Sequence, residues 1–175
     1  MRPGQPGRDP PGAVAAIVRG PVTLHRLLRV LKSARSRGKR IVFTNGVFDI
    51  LHVGHARYLA SARAQGDLLV VGLNSDMSVR RLKGQGRPIV PQAERAELLL
   101  SLRAVDHVVI FGSLTPAALI AAIRPDVLVK GADWARNAIM GADTVRASGG
   151  RIVRVRLAKG RSTTNIVKRI LARLG

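Results

Sequence analysis

The sequence predicts an α/β protein with a Rossmann-like, parallel five-stranded sheet and helices on both faces. Three observations predict it. Short apolar runs alternate with helix-length segments along most of the chain. The strand runs are almost continuously apolar, as strands covered on both faces are. Hydrophobic residues make up 46% of the chain and aromatics only 3%, which implies a core of Leu, Val, Ile and Ala. A length of 175 residues fits one domain of ordinary size.

Residues 1–21 are rich in Pro and Gly without periodicity, and are expected to form a disordered or weakly ordered tail before a domain over residues 22–175. Leu24, Leu27, Leu28 and Leu31 recur at the spacing of an amphipathic helix, expected to run to about Arg37 and stop at Gly38. Arg40–Thr44 reads as a buried strand, His55–Ala64 as a helix, and Asp67–Leu73 as a strand. Gln92–Leu102 reads as a helix behind Pro91, and His107–Phe111 as a strand. Thr115 and Pro116 read as a cap and first-turn proline for a helix to about Ile123. Val127–Lys130 and Arg151–Arg156 read as strands flanking a short helix over Ala138–Ala147. Ser162 can cap a last helix carrying Ile166, Ile170 and Leu174. In such a sheet ligands gather at the carboxyl ends of the strands, so the loops after Thr44, Leu73, Phe111, Lys130 and Arg156 should share the functional edge.

The formal charge is +20, from 30 Lys and Arg against 10 Asp and Glu. Such an excess attracts polyanions, whether nucleic acid or small phosphorylated molecules, although Arg-rich coding alone also produces it. Few aromatic residues are available to stack on bases, which disfavours nucleic acid. There is no cysteine, so disulfides and cysteine-ligated metals are excluded. No apolar run reaches the length of a membrane span, and no signal-peptide pattern opens the chain. A cytoplasmic protein with no membrane partner is expected.

The richest loop is Thr44-Asn45-Gly46-Val47-Phe48-Asp49-Ile50-Leu51-His52-Val53-Gly54-His55, between the first strand and the next helix. Gly46 permits a close turn and Gly54 a close approach between the two histidines. A helix start there offers unpaired N–H groups and a positive dipole end to an anion. Two imidazoles three positions apart can both reach one phosphate. A zinc pair needs further ligands, and neither a cysteine nor a nearby third histidine supplies them. His25 and His107 read as packed or surface residues.

The pattern Gly46-x-Phe48-Asp49-x-x-His52-x-Gly54-His55 resembles the signature of the HIGH-motif nucleotidyltransferase superfamily. Gly160-Arg161-Ser162-Thr163-Thr164 resembles that superfamily's second signature, more than one hundred residues later and in the right order. Asn74-Ser75-Asp76, Val79 to Gly84 with Arg87-Pro88, and Pro125 to Gly131 are similar to the heptose 1-phosphate adenylyltransferase branch, the adenylyltransferase domain of ADP-heptose synthases. This resemblance covers Arg40 to the end of the sequence. Ala132 stands where that branch has a second Gly. The segment before Ser162 lacks the Arg-Thr-Glu-Gly-Ile opening of glycerol-phosphate cytidylyltransferases.

The resemblance implies transfer of AMP from ATP, with Mg²⁺, onto a sugar 1-phosphate such as D-glycero-β-D-manno-heptose 1-phosphate. Cytidylyl transfer, another phosphorylated acceptor, and a basic nucleic-acid-binding protein are the competing readings. It implies His52, His55 and Lys83 as catalytic, with Lys83 on a glycine-flanked loop. Asn45, Gly46, Val47, Phe48, Gly54, Lys130, Gly131, Asp133, Ser162, Thr163 and Thr164 would bind nucleotide. Asp49, Asn74, Asp76, Arg87 and Trp134 are acceptor candidates. Asp49 and Asp76 equally fit loop-orienting or capping roles, Trp134 fits packing, and Arg87 and Arg95 fit ion pairs or surface charges. No protein-held metal is expected, a separate sugar kinase would make the acceptor, and the resemblance is compatible with a homodimer.

Overall fold

The computed structural model describes residues 20–132, 139–156 and 162–174. In chain order the elements are α1 (Leu24–Arg35), β1 (Ile41–Gly46), α2 (Val53–Arg63), β2 (Leu68–Asn74), α3 (Asp76–Lys83), α4 (Gln92–Ser101), β3 (His107–Phe111), α5 (Ala117–Ile123), β4 (Val127–Gly131), α6 (Ala142–Ala147), β5 (Arg151–Val155) and α7 (Thr163–Leu174). The five strands are parallel, in the order β3-β2-β1-β4-β5. This is the Rossmann-like architecture that the alternation of apolar runs and helices predicts.

Period-two alternation divides the core between two faces. Ile41 and Phe43 pack with Leu27 and Leu31 of α1 and with Ile120 and Ile123 of α5. Val42, Leu69 and Val71 pack on the other face with Leu59 of α2 and Leu99 of α4. At the amino edge of the sheet, three aspartates receive strand-start amides that have no ladder partner. Asp126 accepts from Ile41 N at 2.6 Å, Asp106 from Leu69 N at 2.7 Å, and Asp67 from Arg40 N at 2.8 Å. Carboxylates at that edge are thereby committed to structure.

Strand order reverses between β1 and β4. These two pair only at Val42 with Val127 and Phe43 with Leu128. Past that point they run on toward the carboxyl edge without ladder pairing, the geometry of a ligand crevice at a topological switch point.

Three sequence expectations need correction. Lys83 is not on a loop; it is the last residue of α3, a helix that the sequence reading did not anticipate. Ser75 caps α3 by accepting from Ser78 N, and Gly84 ends it with φ +92°, a backbone that side-chain-bearing residues rarely adopt. Thr115 does not cap α5: Pro116 holds the cap position without a side-chain hydrogen bond. The helix expected behind Pro91 is as the sequence places it, with Pro91 at the cap of α4 and Gln92 its first residue. The helix expected from Ala138 begins at Ala142, because Gly141 is left-handed (φ +81°) and packs so closely that a Cβ there would lie 2.6 Å from Ile120.

Candidate functional site

The loop from Val47 to His52 leaves β1 at the switch point and turns sharply into α2. Phe48 makes the turn with φ +46°, a left-handed conformation unusual for an aromatic residue, and its ring is nearly buried. Gly46 accommodates that ring: a Cβ there would lie 3.0 Å from Phe48. Lys130, near the end of β4, donates from Nζ to Asn45 Oδ1 at 2.5 Å, linking the two strands where their ladder has stopped.

His52 is the N-cap of α2, its Nδ1 accepting from Gly54 N at 3.1 Å. The bond uses Nδ1 as an acceptor and leaves the other ring nitrogen to face a ligand. His55 stacks on it, with ring centroids 3.9 Å apart and planes 17° from parallel, while Phe48 meets His55 edge-on at 5.3 Å. Burial, aided by the neighbouring His52, pushes the His55 pKa down to about 4. Burial thus keeps the His55 imidazole neutral near pH 7. The Nδ1 of His55 is buried without a hydrogen-bond partner. Whichever tautomer the ring adopts, this is an unmet polar group beside a helix N-terminus, and an arriving oxyanion or its water would satisfy it.

The remaining loop is held by buried polar groups. Asp49 is 5% exposed, and its carboxylate accepts from Ile89 N (2.8 Å), Val90 N (2.9 Å) and Arg87 Nη1 (2.8 Å). Burial alone would raise its pKa, but the Val90 amide, the Arg87 guanidinium and the Ile89 amide outweigh this and hold it below the ordinary value. Arg95 is fully buried and donates to four oxygens on three segments: Val47 O (2.5 Å), Val90 O (2.9 Å), Asn74 O (3.0 Å) and Asp76 Oδ1 (2.7 Å). Asn74 is itself buried and donates to Ser78 Oγ at 3.2 Å. Asp49 and Arg87 thus tie the loop to the segment that follows α3, Asp76 pairs with Arg95, and the Asn74 side chain braces the first turn of α3. The sequence leaves Arg95 as an ion-pair partner, a surface charge or a phosphate ligand; the structure gives the ion pair, with Asp76, and makes Arg95 the buried hub. Its signal was present, since Arg95 and Leu99 are four residues apart and share the inward face of α4.

The second motif lies beside the first. Thr163 Oγ1 donates to Ile50 O in a long hydrogen bond of 3.4 Å, two residues before His52. Ser162 caps α7 by accepting from Asn165 N at 3.1 Å. The first turn of α7, with Thr163 and Thr164, therefore opens next to the histidine pair. Gly131 ends β4 at the same sheet edge, and Lys83 is exposed at the end of α3. Asp133 and Trp134, with Gly160 and Arg161 of the second motif, lie outside the described residues. Among the described residues no three His, Asp or Glu side chains converge as a metal cage.

Comparisons with known proteins agree with this geometry. The model of the family described as "Cytidylyltransferase-like" matches residues 43–169, which contain both motifs. The bifunctional protein HldE of Syntrophotalea carbinolica is 54% identical over 153 residues, covering 87% of this chain and 31% of that protein. HldE of Azotobacter vinelandii is 51% identical over 152 residues, covering 87% and 32% respectively. The chain thus spans about a third of the length of these curated relatives. The lipopolysaccharide core biosynthesis protein from Thermoplasma volcanium GSS1 has a crystal structure that matches with a TM-score of 0.58 at 30% identity, covering 71% of this chain and 100% of that one. No helix among the described residues is long and apolar enough to cross a membrane. With its two motifs converging at the switch point of a five-stranded parallel sheet, the chain belongs to the cytidylyltransferase-like family.

Proposed function

We propose that the protein transfers AMP from ATP to a sugar 1-phosphate, D-glycero-β-D-manno-heptose 1-phosphate, giving ADP-heptose and pyrophosphate. The observation that carries this reading is the juxtaposition of the stacked His52 and His55 with Thr163, which touches their own loop. One cradle can then receive both the α-phosphate and the leaving phosphates of a triphosphate. The choice of heptose rests on the motifs shared with the adenylyltransferase branch and on the similarity to HldE over most of this chain.

In the proposed reaction a phosphate oxygen of the acceptor attacks the α-phosphorus in line. The bond from that phosphorus to the bridging oxygen breaks, and pyrophosphate leaves with the electron pair. The attacking oxygen is already ionised near neutral pH, so positioning and charge stabilisation carry the rate. His52 and His55 donate hydrogen bonds to the α-phosphate as its charge develops. Ser162, Thr163, Thr164 and the start of α7 bind the β- and γ-phosphates. Backbone groups of Gly46, Val47 and Phe48, together with Gly54, Lys130, Gly131 and Asp133, contact the nucleotide. Lys83 supplies a flexible positive charge from the end of α3, and Trp134 borders the acceptor. Mg²⁺ would enter with the triphosphate, held by phosphate oxygens and water, and would neutralise the leaving group.

The test is pyrophosphate release from ATP and CTP across a panel of acceptors containing heptose 1-phosphate, glycerol phosphate and pantetheine phosphate. Turnover confined to ATP with heptose 1-phosphate supports the proposal. Preference for CTP or for another acceptor replaces it. Salt-sensitive binding of DNA or RNA with no pyrophosphate release would move the protein out of this class.

A further inference from the structure

The split between β1 and β4 is bridged in steps. Val42 pairs with Val127 and Phe43 with Leu128 through the backbone ladder. The next residues in that register are Thr44 and Val129, and there the link passes through α2. The Tyr58 hydroxyl donates to Val129 O at 3.2 Å and lies 2.7 Å from Thr44 Oγ1. A phenol has one proton to give, so Thr44 is the donor of the shorter bond. One position further, Lys130 reaches Asn45 through side chains. Gly46 and Gly131 follow as the last residues of the two strands.

Tyr58 stands three residues after His55, about one turn on along the same helix. It belongs to the buried cluster with Val42, Val71 and Val129, and Thr44 and Val129 have no exposure at all. A hydroxyl in such a cluster is costly unless paired, and this one is paired to both walls of the split. We propose that the Tyr58 hydroxyl is a positioning group for the transfer reaction proposed above, on which this role rests. It holds the start of α2 at a fixed place over the split, so that His52 and His55 meet the α-phosphate. The histidines do not fix themselves to the sheet by the same means. His52 bonds to Gly54 of its own helix, and the buried Nδ1 of His55 has no hydrogen-bond partner. Asp49 and Arg95 hold the loop that enters α2, and Tyr58 holds the helix itself just past the pair.

Tyr58→Phe keeps the ring and removes the hydroxyl. In steady-state pyrophosphate release, kcat should fall roughly tenfold while KM for ATP changes less than about twofold, because the nucleotide contacts stay and the attack geometry is lost. Stability separates positioning from packing. Tyr58→Phe strands the buried Thr44 hydroxyl, and Tyr58→Phe/Thr44→Val removes the stranded group, so the double variant should recover in Tm but not in kcat. Recovery of kcat together with Tm overturns the proposal, as does Tyr58→Phe with full kcat. The imidazole NMR signals of His52 and His55 in the ligand-free protein give a readout that needs no turnover. They should shift in Tyr58→Phe, and unchanged signals also overturn the proposal. A wild type that releases no pyrophosphate with any nucleotide and acceptor would remove the transfer reaction, while those signals still decide what places the pair. Should Tyr58→Phe not fold, Thr44→Val alone cuts β1 from the bridge and should move the same signals; if they stay in place, the proposal fails.

Discussion

Two regions face each other across the candidate site, and they are built differently. The loop from Asn45 to His55 is fixed by buried polar groups. Asp49 accepts three hydrogen bonds, Arg95 donates four, and Lys130 ties Asn45 across the sheet. The start of α7 reaches the same place with one long hydrogen bond from Thr163 to Ile50, on a helix with no buried residue. Rigidity is therefore invested where charge would develop in the proposed transfer, at the α-phosphate, where misplacement is most damaging. The region assigned to the departing phosphates is lightly attached, as a surface that must release its product can be.

The largest effect that could break this comparison is on folding. Arg95→Met strands Val47 O, Asn74 O and Asp76 in a buried pocket. It should cost about 3–5 kcal/mol in chemical denaturation. An unchanged denaturation midpoint would mean that the hub does not hold the loop. Next come His52→Ala and His55→Ala, which should each lower turnover about 10²- to 10³-fold, or ~2.7–4 kcal/mol of transition-state stabilisation. Pyrophosphate release measures this, and a folded variant with full rate would remove that residue from the mechanism.

The same contrast sets what the sequence discloses. The parallel sheet was legible because runs such as Ile41-Val42-Phe43 and Leu69-Val70-Val71 are apolar on both faces, and burial leaves such runs few alternatives. The histidine pair and the Ser162-Thr163-Thr164 segment were legible because spacing on a helix start is local information. Helix α3 was missed because its only buried residues are Ser78 and Val79, so no apolar stripe announced it. Arg95 was undervalued because its partners Val47, Asn74 and Val90 come from segments distant in sequence, and backbone carbonyls leave no mark on composition. For Asp49 the loop-orienting role was open in the sequence, but its partners were not, since the amides of Ile89 and Val90 that it binds lie about forty residues away.

A smaller effect sharpens the picture of the histidine pair. The unfolded chain protonates His55 near its ordinary pKa of 6.5, whereas the folded site resists until about 4. Stability is therefore intact above pH 6.5 and declines as pH falls through that window, because the unfolded state takes up the proton first. Discounted for partial solvent screening, the loss should be on the order of 2 kcal/mol by pH 4. His55→Gln should flatten the part of the stability profile between these values. A variant as acid-sensitive as the wild type would place the titration elsewhere.

The smallest expected change tests the lightly attached side. Thr163→Val keeps the shape of the side chain and removes its hydroxyl. The lost bond to Ile50 is long and only partly buried, so unfolding free energy should move by no more than about 0.5 kcal/mol. If the same hydroxyl also meets the leaving phosphates, turnover should fall about tenfold, or ~1.4 kcal/mol, well beyond the stability change. The two measurements together separate the possibilities. A matched loss of stability and rate would mean that Thr163 only fastens α7 to the loop. A rate loss in a fully stable protein would place the hydroxyl on the substrate, and the two regions would then differ in rigidity while sharing the chemistry.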